Sequence, residues 1–293
     1  MPWKRAHRAG LLGRRDLTAL VMCALVFPIA LQAQGLHSVR GPGNGVDVVA
    51  VAGADAGVRD TAGAILSAAP VPFGPGEKAT YQVKFGFLSV GEGRMEVAGV
   101  ETVRGHSSYR IDWAIKGGIP GARVNDRWQS WMDVAGLYSH RHIADISEVR
   151  YRAYRHWEFY PGEGRWVRED NGEEGELGSP EPLDDIAFVY YVRTLPLRVG
   201  DVYTLPRYFR ESGNPVVVRV VRKDRITVPA GTFNTIVVQP TIQTRGLFSE
   251  GGKAEIHFSD DHRRILVQMQ SKVSFGNLSL HLRTLDEGVP LRP

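Results

Sequence analysis

Three groups of residues have types and spacings that suit chemistry. His140 and His142 stand two apart, so in a regular strand both imidazoles leave one face, as a metal pair requires. Asp145 falls on the opposite face and cannot complete the set without a bend, and no HExxH-like spacing accompanies the pair. The competing reading is of polar residues facing solvent on a sheet. Asp184 and Asp185 form a carboxylate pair of the kind used in acid–base work. Consecutive residues on a helix diverge by about 100°, however, which favours capping and dipole compensation over a shared proton. Asp184 is also placed to tie its helix to a sheet through a partner such as an arginine. Asp260, Asp261 and His262, followed by Arg263 and Arg264, carry acid–base ingredients, yet Asp-Asp between strands is ordinary turn chemistry, with arginines to pair it. No Gly-x-Ser-x-Gly elbow and no glycine-rich phosphate loop opening a helix is present. The expectation is a protein with no catalytic residue, no metal site and no cofactor.

Aromatic side chains are the remaining candidates. Trp113, Trp128, Trp131, Trp157 and Trp166 accompany many tyrosines and phenylalanines. Core packing is their default, and the alternative is an apolar ligand cavity or a sugar-stacking row. Trp128 and Trp131 differ by an odd number and face opposite ways in a regular strand. Arg150, Arg152 and Arg155 interleave with Tyr151, Tyr154 and Trp157, a stretch suited to an anionic headgroup or polysaccharide.

The elements that must position these residues are mostly strands. Tyr81, Val83, Phe85 and Phe87 alternate with polar neighbours, as do Tyr109, Ile111, Trp113 and Ile115, and Leu278, Leu280 and Leu282. Period two with an aromatic and β-branched face predicts strands half-buried on a core. The denser runs Val216–Arg222 and Thr235–Gln239 predict strands covered on both sides. Turn residues punctuate the runs, with Pro229 and Gly231 suited to the second and fourth positions of one turn. One segment departs from this. Residues 183–195 place Leu183, Ile186, Ala187 and Tyr190 at helical spacing, open on two acids, carry Arg193 near the end and stop before Pro196. The other side of this segment is apolar too, so the helix is expected to be enclosed, with a strand as the alternative on propensity. The fold class expected is all-β and mainly antiparallel, a strongly curved sheet in a half-barrel or barrel wrapped around this central helix.

In this order, the motifs resemble a known family. Asp184–Arg193 followed by Pro196-Leu-Arg-Val-Gly-Asp201, the opening Pro72–Glu77 with Tyr81-Gln-Val83, Val228–Phe233 with Gly231, and Phe258–Arg264 with Asp261 are similar to the bacterial domain-of-unknown-function 3108 family over about residues 73–285. The resemblance implies an exported protein and marks Asp184, Asp185, Tyr190, Arg193, Gly200, Asp201, Gly231 and Asp261 as a structural signature. It implies no catalytic residue. The curved sheet around a helix is similar in architecture to periplasmic lipoprotein carriers, which is analogy alone.

Composition narrows the classes. The 293 residues are 43% hydrophobic and 23% charged, the balance of a globular protein. The formal charge is +4, but Lys4, Arg5, Arg8, Arg14 and Arg15 against Asp16 supply all of it within residues 1–33, leaving 31 basic and 31 acidic residues. A neutral body gives no support to nucleic-acid binding. Basic residues 1–16, the apolar run Leu17–Leu31 and a small residue at Ala33 predict a signal peptide over 1–33. The run of 15 residues is short for a membrane span, so no integral membrane protein is expected after cleavage. Arg14-Arg15 is only a partial twin-arginine motif. The one cysteine, Cys23, lies in this leader, so disulfides and thiolate chemistry are not expected beyond it. Residues 34–72 are rich in Gly and Ala without period and predict a flexible tether. A single β domain then spans 73–285, with a tail over 286–293.

Three functions follow as expectations. The first is an envelope or periplasmic protein that buries a lipid-like or other amphipathic molecule against Phe85, Phe87, Trp113, Tyr190 and Leu280, with the helix gating access. The second is a solid module that scaffolds envelope partners through its surface. The third, with least support, is a hydrolase of wall or glycan material. A continuous apolar cavity would favour the first, and a filled interior the second.

Overall fold

The computed structural model describes residues 71–241, 253–273 and 276–291. The expected signal peptide and all of the tether except Val71 and Pro72 lie outside the described residues. The first half of the chain builds β1 (Lys78–Phe85), β2 (Leu88–Val103), β3 (His106–Ile119), β4 (Ala122–Asp133), β5 (Ser139–Ser147), β6 (Arg152–Tyr160), β7 (Arg165–Arg168) and β8 (Glu174–Glu176). The helix α1 (Asp185–Arg193) follows, and then β9 (Val202–Leu205), β10 (Val216–Val228), β11 (Gly231–Thr241), β12 (Lys253–Ser259), β13 (Leu266–Val273) and β14 (Gly276–Asp286).

All 14 strands form one antiparallel sheet in the order β8-β7-β6-β5-β4-β3-β2-β1-β14-β13-β12-β11-β10-β9. The chain therefore starts mid-sheet, steps outward to one edge, crosses through α1 to the other edge, and steps back until β14 meets β1. Val83 pairs with Leu280 and Phe85 with Leu278 at that closure. The sheet is curved and unclosed. Its ladders carry register shifts at Thr80/Tyr81, Val97/Gly99, Trp131/Met132, Val220/Arg222 and His257/Phe258. An extra residue on one strand bends and twists it, so repeated bulges coil a sheet that would otherwise splay.

α1 fills the concavity and packs against β3 and β4. All nine of its residues are buried, including Asp185 and Arg193. The helix expected over 183–195 is thus present, two residues shorter at each end. The segments flanking it meet each other: Leu183 N–H donates to Arg207 O at 2.6 Å and Phe209 N–H to Leu183 O at 3.2 Å. Gly178 N–H also donates to Phe209 O at 2.9 Å. These bonds strap the two ends of the crossover across the open side of the sheet.

Alternation places the expected faces inward. Tyr81, Val83, Tyr109, Ile111, Trp113, Ile115, Leu278, Leu280 and Leu282 are all buried. The dense runs differ from expectation in one case. Thr235–Val238 is buried on both sides, but within Val216–Arg222 only Val216, Val218 and Val220 are, while Arg219 is exposed. The alternation of buried with half-buried or exposed residues in β10 is that of a strand covered on one face among the described residues. Trp128 and Trp131 do face opposite ways. Trp128 joins the core. Trp131 is buried on the outer face, where Nε1 donates to Glu101 at 2.7 Å and the guanidiniums of Arg110 and Arg141 lie 5.9 and 5.1 Å from its ring. In the hairpin between β10 and β11, Pro229 and Ala230 form the turn and Gly231 takes φ +130°, a conformation side chains rarely adopt.

Candidate functional site

Polar groups gather in three places: at each end of α1, and at the end of the sheet where β3, β4 and β5 begin or finish. At the helix N-terminus, Asp184 is the cap, with Oδ1 accepting from Ile186 N at 2.8 Å and Ala187 N at 3.0 Å. Its Oδ2 accepts from Ser130 Oγ at 2.6 Å and Ser139 Oγ at 2.7 Å. The helix is therefore tied to β4 and β5 by two serines rather than by an arginine. His142 Nδ1 lies 3.6 Å from Asp184 Oδ1 and 3.1 Å from Gln129 O, to which it donates. Its ring stacks on Trp157 at 5.4 Å. Burial pushes its pKa down, so the imidazole is neutral.

Serine, histidine and aspartate thus meet here in an order that does no nucleophilic chemistry. Both hydroxyls donate to the carboxylate, the imidazole donates to Gln129 O, and all four groups are fully buried. The arrangement is an anchor. Asp185, next in sequence, turns to a different partner and accepts from Tyr208 OH at 3.3 Å. Burial, and then the neighbouring Asp184 charge, push its pKa up to about 7.

At the helix C-terminus Arg193 grips Glu77 with Nη1–Oε1 at 2.6 Å and Nη2–Oε2 at 2.8 Å. Nη2 also donates to Arg263 O at 3.0 Å, and the guanidinium lies 5.3 and 5.0 Å from the rings of Phe73 and Tyr190. Beside this knot a cavity of about 210 Å³ opens at the rim, lined by Phe73, Glu77, Arg263, Ile265, Leu285 and Pro290 among others. Asp261 organises the adjoining turn. Its Oδ1 accepts from Ser259 Oγ at 2.8 Å and Arg263 N at 3.0 Å, and Arg263 and Arg264 pair with Asp261 and Asp260. On the exit from α1, Gly200 has φ +95° and Asp201 accepts from Tyr203 OH at 3.1 Å.

The residues expected to line a cavity have mixed positions. Trp113, Tyr190 and Leu280 belong to the continuous packed core. Phe85 is half-buried where β1 ends. Phe87 does not face inward: it is 91% exposed. The alternation stops at Phe85 because Gly86 and Phe87 make the turn between β1 and β2.

The third cluster corrects the expected histidine pair. Trp131 pairs with Arg141 but Met132 with Ser139, so His140 is the extra residue of a bulge and leaves the register of His142. Neither faces solvent; His140 is 2% and His142 0% exposed. His140 Nε2 meets Asp133 Oδ2 at 3.0 Å, and His106 Nδ1 reaches the same oxygen at 3.7 Å. The two imidazoles stack at 4.5 Å. Asp133 Oδ1 accepts from Ala135 N at 2.9 Å and Gly136 N at 2.6 Å. Burial alone would raise the Asp133 pKa, but these amides and His140 hold it below the usual carboxylate range. Nothing in the sequence signals this cluster, since its members come from three different strands, 27 and 7 residues apart.

The chain is similar to solved structures at low identity. A β-barrel-like protein of domain of unknown function DUF1849 from Brucella abortus is 9% identical, with a TM-score of 0.49 over 74% of this chain and 99% of that one. A protein from Parabacteroides distasonis described as a candidate lipoprotein is 12% identical, with a TM-score of 0.34 over 74% and 99%. A candidate exported protein from Bacteroides fragilis is also 12% identical, at 0.28 over 74% and 99%. No curated protein matches the chain. No helix among the described residues is long and apolar enough to cross a membrane. The family of proteins of unknown function DUF3108 matches residues 80–283, from within β1 to within β14 and including the helix between them, and the chain belongs to that family.

Proposed function

We propose that this chain is an exported envelope protein without catalytic activity, a solid body that acts by presenting its surface to other envelope components. The observation that carries the reading is the packed core of the described residues, where all nine residues of α1 are buried and Trp113, Tyr190 and Leu280 pack together. Small-molecule sites commonly occupy about 300–1,000 Å³. The rim cavity of about 210 Å³ is smaller than that and is too small for a lipid chain. Export is supported by the basic leader and the apolar run Leu17–Leu31. Surface contact is supported by the hairpin tip, where Phe87 is 91% and Leu88 52% exposed. A second reading, in which the rim cavity takes one apolar end of an amphipathic molecule, is favoured by Phe73, Ile265 and Leu285 lying beside Arg263 there.

The test uses the full chain in its native envelope with a photo-crosslinking residue in place of Phe87, together with native mass spectrometry of the purified protein. The expected result is one discrete cross-linked protein species and a mass free of bound lipid. A stoichiometric lipid that is lost on replacing Leu285 with lysine would overturn this reading in favour of the second.

A further inference from the structure

We propose that His106, Asp133 and His140 form a binding site for a divalent transition-metal ion of the zinc type, at the end of the sheet shared by β3, β4 and β5. His106 opens β3, Asp133 closes β4 and His140 is the second residue of β5, so three successive strands each deliver one donor. Two imidazoles and one carboxylate suit zinc, copper or nickel better than calcium or magnesium, which prefer oxygen throughout.

The geometry is close to what coordination needs. Metal–donor bonds of about 2.0–2.1 Å in a tetrahedral site separate neighbouring donors by about 3.3 Å. Here the two nitrogens approach Asp133 Oδ2 at 3.0 and 3.7 Å, and all three donor atoms lie within 4.8 Å of one another. A simple His–Asp pair requires one imidazole; here two converge on a single carboxylate oxygen, as a shared cation would arrange them.

Two of the donors are already held. Asp133 is fixed by the amides of Ala135 and Gly136, which occupy Oδ1 and leave Oδ2 for the imidazoles. His140 is buried, and Arg104 Nη2 grips its carbonyl at 2.9 Å. Such outer contacts orient ligands and raise affinity. His106 is the movable donor. Its side chain is 53% exposed and follows the tight turn at Arg104 and Gly105, so its ring can leave the stack on His140 and bring its nitrogen in. Three protein donors leave a fourth position open toward solvent, as in sites that exchange a water or accept a ligand from outside.

The experiment is calorimetric titration of the tag-free full chain with Zn²⁺, repeated for H106A, D133N and the exposed control H262A, with the Co²⁺ visible spectrum as a second readout. One Zn²⁺ per chain is expected, weakened at least ~10-fold by H106A and by D133N and unchanged by H262A. Ligand-field bands of bound Co²⁺ should appear in the wild type and disappear in H106A. The metal-free melting temperature of H106A should match that of the wild type, because an exposed ring contributes little packing. Absence of saturable uptake would overturn the proposal. So would uptake that H106A leaves unchanged, which would place the ion elsewhere, on His7, His37 or Cys23.

Discussion

Asp185 holds its carboxyl inside the molecule with Tyr208 as its hydrogen-bond partner, and its pKa of about 7 has a consequence for stability. Unfolded, the same group titrates near 3.8, so between these values the folded state holds the extra proton. Stability is therefore lost as pH rises from about 4 to about 7 and changes no further above that. Asp126, raised by burial to about 7 as well, adds to the same slope. Asp185→Asn is expected to flatten this limb and to stabilise the protein at pH 8 on the order of 2 kcal/mol, read by urea unfolding across the pH range. A less stable D185N at pH 8 would show that the ionised carboxylate is the favoured form. Glu255 works in the opposite sense. Arg222 holds it down at about 2, so its contribution is present above the ordinary carboxylate range and is lost as pH falls toward that value.

The helix α1 is the element on which the fold turns, because each of its ends is fastened to a different part of the sheet. Asp184 satisfies two helix amides and two serine hydroxyls with one carboxylate. Asp184→Ala removes the cap and orphans Ser130 and Ser139 in a dry interior, so a loss of about 2–4 kcal/mol is expected by denaturant titration. Asp184→Asn keeps an acceptor for the helix amides and should cost less than alanine. If alanine and asparagine cost the same, the serine contacts carry the whole effect and the cap none. At the other end, Glu77→Gln leaves the buried Arg193 charge without its counter-ion and should cost about 3 kcal/mol or more. Proteolysis would then be expected first at residues 71–77, which this ion pair holds against the β12–β13 turn.

Across the whole molecule, the unclosed sheet leaves two edges that it must protect. β8 is three residues long and carries Glu174 and Glu176, and β9 is four residues long. Short, charged edges resist pairing with a second chain. Replacing Glu174 and Glu176 together with valine should produce concentration-dependent association in light scattering while leaving the melting temperature within a few degrees. A strictly monomeric double variant would mean that the strap of Gly178, Leu183 and Phe209 already blocks the edge. Leu88→Asp, beside the cross-linking position 87 on the exposed hairpin tip, should change stability by less than about 0.5 kcal/mol and abolish the cross-link from position 87.

The residues themselves determine the all-β class, the inward faces of Tyr109–Ile115 and Leu278–Leu282, and the one α-helix among the described residues. Each of those is a local periodicity written along one segment, and the same local rule correctly separates Trp128 from Trp131. Phe87 continues the alternation of β1 in sequence yet lies in the turn, because an alternating pattern carries no mark of where the strand ends. The tertiary structure alone decided which polar groups meet. His140 parts from His142 through one extra residue in β5, and His106 and Asp133 reach it only when three strands stand in register. Asp184 finds serines on two neighbouring strands, 54 and 45 residues earlier in the chain. Contacts across a sheet depend on pairing register and bulges, and these are set by the packing of the whole curved sheet around α1, not by any one stretch of sequence.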